Sequence, residues 1–156
     1  MTTPLARELR QRKPFANLQE EVFLNVLRTG DALLRREVEV LRTADLSFPQ
    51  YNVLRILRGA GSDGLPTGSI ADRMVTRDPD LTRLLDRLES RRLVSRSRSS
   101  SDRRVIVASV TEAGRRLLSR LDDKVSEVHR NQLQHLSRTE LGTLAELLVR
   151  ARTPPD

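Results

Sequence analysis

The segment 78–92 places leucines at helical spacing between signals that begin and end a helix. Four leucines recur at i, i+3, i+4 and i+7 and would share one helix face; they are Leu81, Leu84, Leu85 and Leu88. Asp78 is a suitable N-cap and Pro79 a favoured first helical residue. A helix is therefore predicted to begin here and to end near residue 91 or 92. Its leucine face requires a core, and its arginine-rich opposite face is left to solvent or to a partner.

Apolar periodicity and capping residues predict a mainly helical chain around this segment. Further helices are predicted over 17–41, 47–59, 67–74, 111–134 and from 137 towards the C-terminus. Two apolar, β-branched runs predict strands over 93–97 and 105–110, joined by a polar tip. The prediction for residues 61–66 is a loop, and for residues 1–16 it is a loose arm or a short extra helix. The predicted fold class is mainly α with a small β-wing.

Size and composition limit the classes to which the chain can belong. Its 156 residues suit one core better than two full domains. The absence of cysteine excludes disulfides, thiol redox sensing and cysteine-type zinc sites. Three phenylalanines and one tyrosine are too few for proteins that stack single-stranded bases on aromatic rings. No run approaches the ~18 apolar residues of a membrane span and the N-terminus lacks the apolar stretch of a signal peptide, so a cytoplasmic protein is expected.

Positive charge is concentrated between residues 73 and 104. Ten arginines stand there against five acidic residues, so about a fifth of the chain carries +5 of its formal net charge of +7. A helix with free N–H groups, a hydroxyl and arginines can enter the major groove of DNA, where an arginine fork pairs with guanine O6 and N7. The candidate DNA-binding residues at this helix are Arg77, Pro79, Asp80, Thr82, Arg83 and Arg87.

Two features of this helix leave alternatives open. Asp80 could accept a hydrogen bond from a base, or it could balance the positive end of the helix. Asp86 could likewise accept a hydrogen bond from a base, or it could pair with a neighbouring arginine. A charged face is also what an ordinary amphipathic helix presents to solvent. The short helix before it and the hairpin after it favour the DNA-binding interpretation.

The polar tip between the two predicted strands carries three arginines that suit the minor groove. The groove is narrow and electronegative, and an inserted guanidinium is a common contact there. The candidates are Arg98, Arg103 and Arg104. Asp102 is assigned a structural role, in which an ion pair with Arg104 holds the tip in shape. The alternative is a flexible, solvated loop, which the serines at 99–101 would also suit.

Two stretches resemble the MarR family of bacterial transcriptional regulators. The stretch DRRVIVASVTEAG, from Asp102 to Gly114, is similar to that family's wing-and-helix signature D-x-R…(V)-x-L-T-x-x-G. The segments IADRM, from Ile70, and TRLLDRLE, from Thr82, resemble its helix-turn-helix pattern. The order of six helices and one wing also fits, so the resemblance covers residues 17–150.

The resemblance implies an architecture and a mode of action. It implies a winged helix-turn-helix domain over 46–111 and a helical dimerisation region formed by 17–45 and 112–152. Residues 1–16 lie outside the resemblance and are expected to form an N-terminal arm. A homodimer would then bind a pseudo-palindromic operator on double-stranded DNA, with repression as the expected outcome. An effector, often a small phenolic or other lipophilic anion, would bind between the dimer helices and the DNA-binding lobe.

The candidate residues for such an effector pocket are Leu27, Tyr51 and Leu54. Tyr51 suits a plain core position with a satisfied hydroxyl equally well. No catalytic residue, cofactor or metal site is predicted, because the serines and aspartates form no nucleophile–base set and His129 and His135 lack a third ligand at zinc spacing. The alternative function is a helical interaction module that docks a protein or a membrane surface without specific DNA readout.

Overall fold

The computed structural model describes residues 3–78 and 80–153, and these ranges contain seven α-helices and three β-strands. The helices are α1 (Pro4–Glu8), α2 (Leu18–Arg42), α3 (Phe48–Gly59), α4 (Thr67–Ala71), α5 (Leu81–Ser90), α6 (Glu112–Leu133) and α7 (Arg138–Arg152). The strands are β1 (Leu65–Pro66), β2 (Val94–Arg98) and β3 (Ile106–Val110). The predicted fold class, mainly α with a small β-wing, is confirmed.

Three helices begin at the capping residues that the sequence indicates. Ser47 precedes α3 and Ser137 precedes α7, and each exchanges reciprocal hydrogen bonds with the residue three positions on. The Thr111 hydroxyl at the start of α6 accepts a hydrogen bond of 3.1 Å from the Gly114 amide. These side chains satisfy amides that a helix leaves free at its N-terminus, which explains why the helices begin where they do.

The structure corrects the predicted start of α5 and the predicted end of α4. Asp80, not Asp78, is the N-cap of α5, and its Oδ1 accepts from the Arg83 amide at 3.1 Å. Asp78 instead accepts from the Asp80 amide at 2.8 Å, which tightens the turn before the helix. Pro79 lies outside the described residues. The short helix α4 ends at Ala71 rather than Met74, so the turn before α5 is longer than predicted.

The sheet has a third strand that the sequence analysis assigned to a loop. The antiparallel order is β1-β3-β2, with Leu65 opposite Ala108 and Val94 opposite Val110. Gly64 precedes β1 with φ 68°, and a Cβ there would lie 2.4 Å from the Ala108 carbonyl oxygen. Glycine is therefore required where the chain approaches β3, both for its positive φ and for the space.

The core lies where α3, α5 and α6 meet the sheet. Leu84, Leu85 and Leu88 are buried and Leu81 is half-buried against the same core, so the predicted leucine stripe of α5 is confirmed. Leu54 and Leu118 are fully buried on α3 and α6. At about 25 cal/mol per Å² of apolar surface, this burial fixes α5 in one orientation and leaves its polar face outward.

Apolar side chains also remain exposed on two long helices. Large apolar residues are exposed on α2 and α7; they are Leu18, Val22, Phe23, Val26, Leu27, Leu144, Leu147, Leu148 and Val149. The short helix α1 buries Leu5 and Ala6, and Glu8 pairs with Arg28 of α2 at 2.8 Å. Within the described ranges, no helix is both long and apolar enough to cross a membrane.

Candidate nucleic-acid interface

The outward face of α5 carries the candidate groups for base contact. Thr82, Arg83 and Arg87 are all exposed there, opposite the buried leucines. The Arg83 side chain is 71% exposed, and its Nε lies 3.2 Å from Asp80 Oδ2. An ion pair this exposed is weak, so the guanidinium can exchange it for a base or a phosphate. Asp80 has a structural role as the N-cap, and its part in DNA contact stays a prediction.

The turn before α5 is held by α3. The Val75 amide donates a hydrogen bond of 2.8 Å to Asn52 Oδ1. Arg77 follows on the same turn with its side chain exposed. A side-chain anchor from a packed helix fixes the turn and thereby the entry of the chain into α5. Arg77 is thus presented beside the N-terminal end of α5, and its contact with a backbone phosphate stays a prediction.

The hairpin formed by β2 and β3 presents the second group of arginines. Arg98, Arg103 and Arg104 are exposed at or near its tip, and the Arg104 side chain is 91% exposed. Asp102 Oδ1 accepts from the Arg104 amide at 3.0 Å and from its Nε at 3.2 Å. The hydrogen bonds from Arg104 hold the pKa of the Asp102 carboxyl below its ordinary value. The expected contact between these two residues is present in the structure.

The tip is also ordered by its backbone. The Val105 amide donates to the Asp102 carbonyl oxygen at 2.9 Å, and the Ser99 amide donates to the Val105 carbonyl oxygen at 2.9 Å. These bonds close the turn between the strands and continue the hairpin beyond its last paired residues. The tip is therefore a defined turn rather than an unstructured loop, and its arginines project from a fixed frame.

Arg96 links the hairpin to α5, and the sequence analysis missed it. From β2 it donates to Glu89 through its amide at 3.1 Å and its Nε at 3.0 Å, and its Nη2 lies 2.5 Å from Asp86 Oδ1. The hydrogen bonds that Arg96 donates lower the pKa of the Glu89 carboxyl. Acceptance of these bonds by Glu89, and then by Asp86, raises the pKa of Arg96. Asp86 does pair with an arginine, but its partner lies on the strand.

Arg91 forms a second unforeseen link, between α5 and the end of α2. Its Nη1 donates to the Asp45 carbonyl oxygen at 2.6 Å and its Nη2 to the Ala44 carbonyl oxygen at 3.0 Å. A guanidinium fork that spans two backbone carbonyls holds both elements at a fixed distance. The C-terminal end of α5 is thereby fixed to the loop that follows α2.

The structure does not bring the predicted effector residues together. Tyr51 and Leu54 are buried in the core, at 2% and 0% exposure, whereas Leu27 is 55% exposed on α2. The structure has a cavity between the long helices and the turn before α5, but none of these three residues contributes to its walls. Apolar spacing on a helix does not distinguish a core position from a cavity wall, so the role of these three residues in an effector pocket stays a prediction.

A cavity of about 400 Å³ lies instead between α2, α6, the start of α3 and the turn before α5. Its apolar walls are Leu33, Leu34, Phe48, Val75 and Leu133. Its polar groups are Glu37, Thr76, His129 and Gln132. Glu37 is 9% exposed, and its Oε2 lies 3.0 Å from His129 Nε2. His129 therefore pairs with a carboxylate that lies 92 residues away, a contact that the sequence does not indicate.

Comparisons with known proteins agree with this geometry. The MarR family model matches residues 46–106. The regulator YfiV of Bacillus subtilis, of the helix-turn-helix type, is 36% identical over 102 residues, which span 65% of this chain and 62% of that protein. A MarR transcription factor from Planctomyces limnophilus is 41% identical, with 86% of this chain and 98% of that chain covered at a TM-score of 0.67.

A third comparison concerns the fold alone. A mutant MarR from E. coli, solved in complex with operator DNA, is 24% identical at a TM-score of 0.77, with 87% of this chain and 99% of that chain covered. The Planctomyces likeness combines high identity with nearly complete coverage. The resemblance inferred from the wing and helix motifs is thus confirmed. The chain belongs to the MarR family of winged-helix transcriptional regulators, which bind DNA and are not enzymes.

Proposed function

We propose that two copies of this chain bind a pseudo-palindromic operator and repress transcription, and that a small effector releases them. In each copy, α5 enters the major groove and the β2–β3 hairpin reaches the adjacent minor groove. The observation that carries the proposal is the Arg96 network, which joins the hairpin to α5 while both remain exposed. Two elements in fixed relation can engage neighbouring grooves of one duplex.

The distribution of charge supports the assignment of residues within this surface. Arg83 and Thr82 lie on the first turns of α5, where side chains reach base edges in the major groove. Arg104 and Arg103 lie at the tip of the hairpin, where minor-groove contact does not distinguish most sequences. Arg83 is therefore assigned to sequence choice, and Arg104 to anchoring.

The exposed apolar side chains on α2 and α7 support the homodimer. Single exposed leucines are ordinary, but a set on two long helices is typical of a surface that associates. No residue of α7 within the described chain is buried, so this helix packs only lightly against the rest of its own chain. A second copy would cover both helices, and its two-fold symmetry would set the spacing of the two α5 helices on DNA.

The position of the cavity supports the proposal that a small effector changes DNA binding. Its walls include Leu33 of α2, in the dimerisation region, and Val75 of the turn before α5. A molecule held there would contact both regions at once. If it binds better to one arrangement of the two regions, it shifts the population towards that arrangement and changes the spacing of the α5 helices.

The test is selection of bound fragments from the source genome by the purified protein, followed by titration of a selected duplex. Arg83→Ala is expected to lower discrimination between the selected and a scrambled duplex by about tenfold, because one bidentate base contact contributes about 1–3 kcal/mol. Arg104→Ala is expected to weaken binding to both duplexes similarly. Arg116→Ala, an exposed arginine on α6, is the matched control and should change neither.

Salt dependence separates this function from a module that docks other proteins. Counterion release makes the affinity for random duplex DNA fall steeply with salt concentration. Loss of Arg104 should reduce the slope of log K against log salt by about one if it contacts a phosphate. A shallow slope, together with no effect of Arg83→Ala, would contradict the proposed function.

A further inference from the structure

The cavity between α2, α6 and the turn before α5 contains one nearly buried carboxylate. Glu37 extends from α2 into walls that are otherwise mainly apolar, and only 9% of the residue is exposed. Burial of an ionised carboxylate is costly unless it is paired. Among the described residues, Glu37 is the one charged residue that is buried. It therefore distinguishes this cavity from a plain gap in packing.

The pairing of Glu37 leaves one oxygen available. His129 Nε2 lies 3.0 Å from Oε2, and the hydrogen bonds of the described residues include no partner for Oε1. No buried side-chain oxygen within the described ranges lacks a partner, so Oε1 must retain some contact with the open space. This oxygen can therefore accept a hydrogen bond from a molecule in the cavity.

The other groups around the cavity do not favour an anion. Among the described residues, neither lysine nor arginine lines it. His129 is the one side chain there that can become cationic, and Glu37 already engages it. A carboxylate or phenolate ligand would meet the Glu37 charge without a free cation to offset it, in surroundings of low dielectric constant.

The same groups suit a cation with an apolar body. A protonated amine could donate to Glu37 Oε1, and a hydrogen bond between charged groups is about twice as strong as a neutral one. Phe48 adds an aromatic ring to the walls, and aromatic rings attract cations. Leu33, Leu34 and Leu133 would cover the apolar part of such a ligand. A volume of about 400 Å³ suits one aromatic ring with a short alkyl chain.

We infer that this cavity binds lipophilic cations of the arylalkylamine type, with the Glu37 carboxylate as the counter-ion. The inference rests on the proposed effector function of the cavity and names the chemical class of the effector. It departs from the lipophilic anions that the family resemblance implies. The physical basis of the departure is one buried carboxylate with a free oxygen, without a lysine or arginine on the described walls.

The test compares two probes with the same apolar body and opposite charge. Isothermal titration calorimetry of the full chain without DNA would measure 4-phenylbutylamine as the cation and 4-phenylbutyrate as the anion. The amine is expected to bind at least ~10-fold more tightly, because the pairing of a buried charge dominates the difference. Equal or tighter binding of the acid would overturn the inference, as would absence of binding by both probes up to millimolar concentration.

Two variants locate the preference at Glu37. Glu37→Gln keeps the shape of the side chain and is expected to abolish the preference for the amine. Glu39→Gln removes the same charge from an exposed position on the same helix and should preserve it. If Glu37→Gln retains the preference, the carboxylate is not the counter-ion and the inference fails.

A variant of the partner residue covers the case in which Glu37→Gln does not fold. His129→Ala leaves Glu37 free, so the affinity for the amine is expected to stay the same or to rise. A fall in affinity for the acid alone would assign His129 as an anion receptor and overturn the inference. DNA titrations without either probe test the proposed DNA-binding function separately. Specific DNA binding without amine binding would therefore refute this inference alone. Amine binding without specific DNA binding would refute only the proposed DNA-binding function.

Discussion

Gly114 shows how closely the start of α6 packs against the sheet. A Cβ at this position would lie 2.4 Å from the Leu93 carbonyl oxygen and 2.7 Å from Val110 Cγ2. The first of these atoms belongs to the backbone and cannot move without shifting the start of β2. The glycine of the Thr111–Gly114 motif is thus required by packing, since its amide would be available to the Thr111 cap with any side chain.

Gly114→Ala is expected to lower the free energy of unfolding by about 1–3 kcal/mol, the usual cost of forcing a methyl group into a well-packed site. Urea unfolding followed by circular dichroism would measure the change. Gly59→Ala is the control, because it places the same methyl group on α3 with nothing within 4 Å. The control should be neutral or slightly stabilising. Equal effects of the two substitutions would contradict the packing argument.

Residue-level prediction succeeded where one side chain acts on its own backbone. Ser47, Thr111 and Ser137 all cap the helices that their sequence positions indicate. It was wrong at Asp78, because Asp80, two residues later, is an equally good cap and the local pattern does not choose between them. The choice depends on where the leucines of α5 meet the core, which is a tertiary contact.

At the scale of elements, the Arg96 network determines how the hairpin is positioned against α5. Arg96 is 22% exposed, whereas Asp86 and Glu89 are 56% and 39% exposed, so the arginine is the more enclosed partner. Removal of Glu89 would free Arg96 from the contact that fixes its Nε and its backbone amide. The network therefore couples two elements that the proposed function assigns to different grooves.

Glu89→Gln is expected to change DNA affinity in two opposite ways, through the net charge of the chain and through the position of the hairpin against α5. The substitution makes the chain more positive, so charge alone would tighten DNA binding. Loss of the link to Arg96 is instead expected to weaken operator binding by about two- to fivefold, as for a partly exposed ion pair. Fluorescence anisotropy with a selected duplex measures the sign. Glu112→Gln, which removes an exposed carboxylate from α6, should not weaken binding.

The pair Arg58–Asp122 joins α3 to α6 through two parallel hydrogen bonds of 2.8 Å. The hydrogen bonds from Arg58 lower the pKa of the Asp122 carboxyl in the folded chain. The unfolded chain therefore binds more protons at acid pH, and stability rises with pH in that range. The contribution of the pair is fully present above about pH 5, one unit above the ordinary pKa of aspartate, and is lost as pH falls through the lowered folded-state pKa.

Asp122→Asn is expected to remove part of this pH dependence. The free energy of unfolding of the variant should fall less steeply than that of the parent chain between about pH 5 and pH 3. The effect will be modest, because Asp122 is 42% exposed and solvent screens the pair. Thermal unfolding at several pH values measures the slopes. Parallel slopes for the two proteins would show that the pair contributes no linkage.

Most elements could be predicted from the sequence, but their contacts could not. Leucine periodicity identified α5, and the β-branched run identified β3. β1 was missed because two residues, Leu65 and Pro66, carry no periodicity and form a strand only by pairing with β3. Arg96 and Glu37 were missed for a similar reason, since their partners lie seven and 92 residues away.

At the scale of the whole molecule, the exposed apolar residues of α2 and α7 predict association. Phe23 is 60% exposed and Leu147 is 50% exposed, although each lies on a well-formed helix. Such residues on two long helices, of which α7 buries no described residue, favour a second chain as the cover. The elements of the winged helix share their core with α6 and with Leu41 of α2, so the surface that remains for association is the exposed apolar part of α2 and α7.

Leu147→Glu is expected to shift the chain from dimer to monomer and to weaken binding to a two-half-site duplex by at least ~10-fold, because a buried unpaired charge opposes association. Analytical ultracentrifugation measures the mass, and anisotropy measures the binding. Ile106→Glu makes the same change at an exposed apolar residue of β3 and should leave the mass unchanged. A parent chain that sediments as a monomer would refute the proposed assembly.

The two hydrogen bonds of Arg91 transmit a change in the orientation of α2 to α5. They couple the far end of a 25-residue helix, roughly 37 Å long, to the last turn of α5. An angular change of about 5° at the opposite end of such a rod displaces the coupled end by about 3 Å, close to the rise of one base-pair step. In the proposed dimer, a slight reorientation of the long helices would thus move each α5 away from its half-site, while the contacts inside each winged helix stay the same.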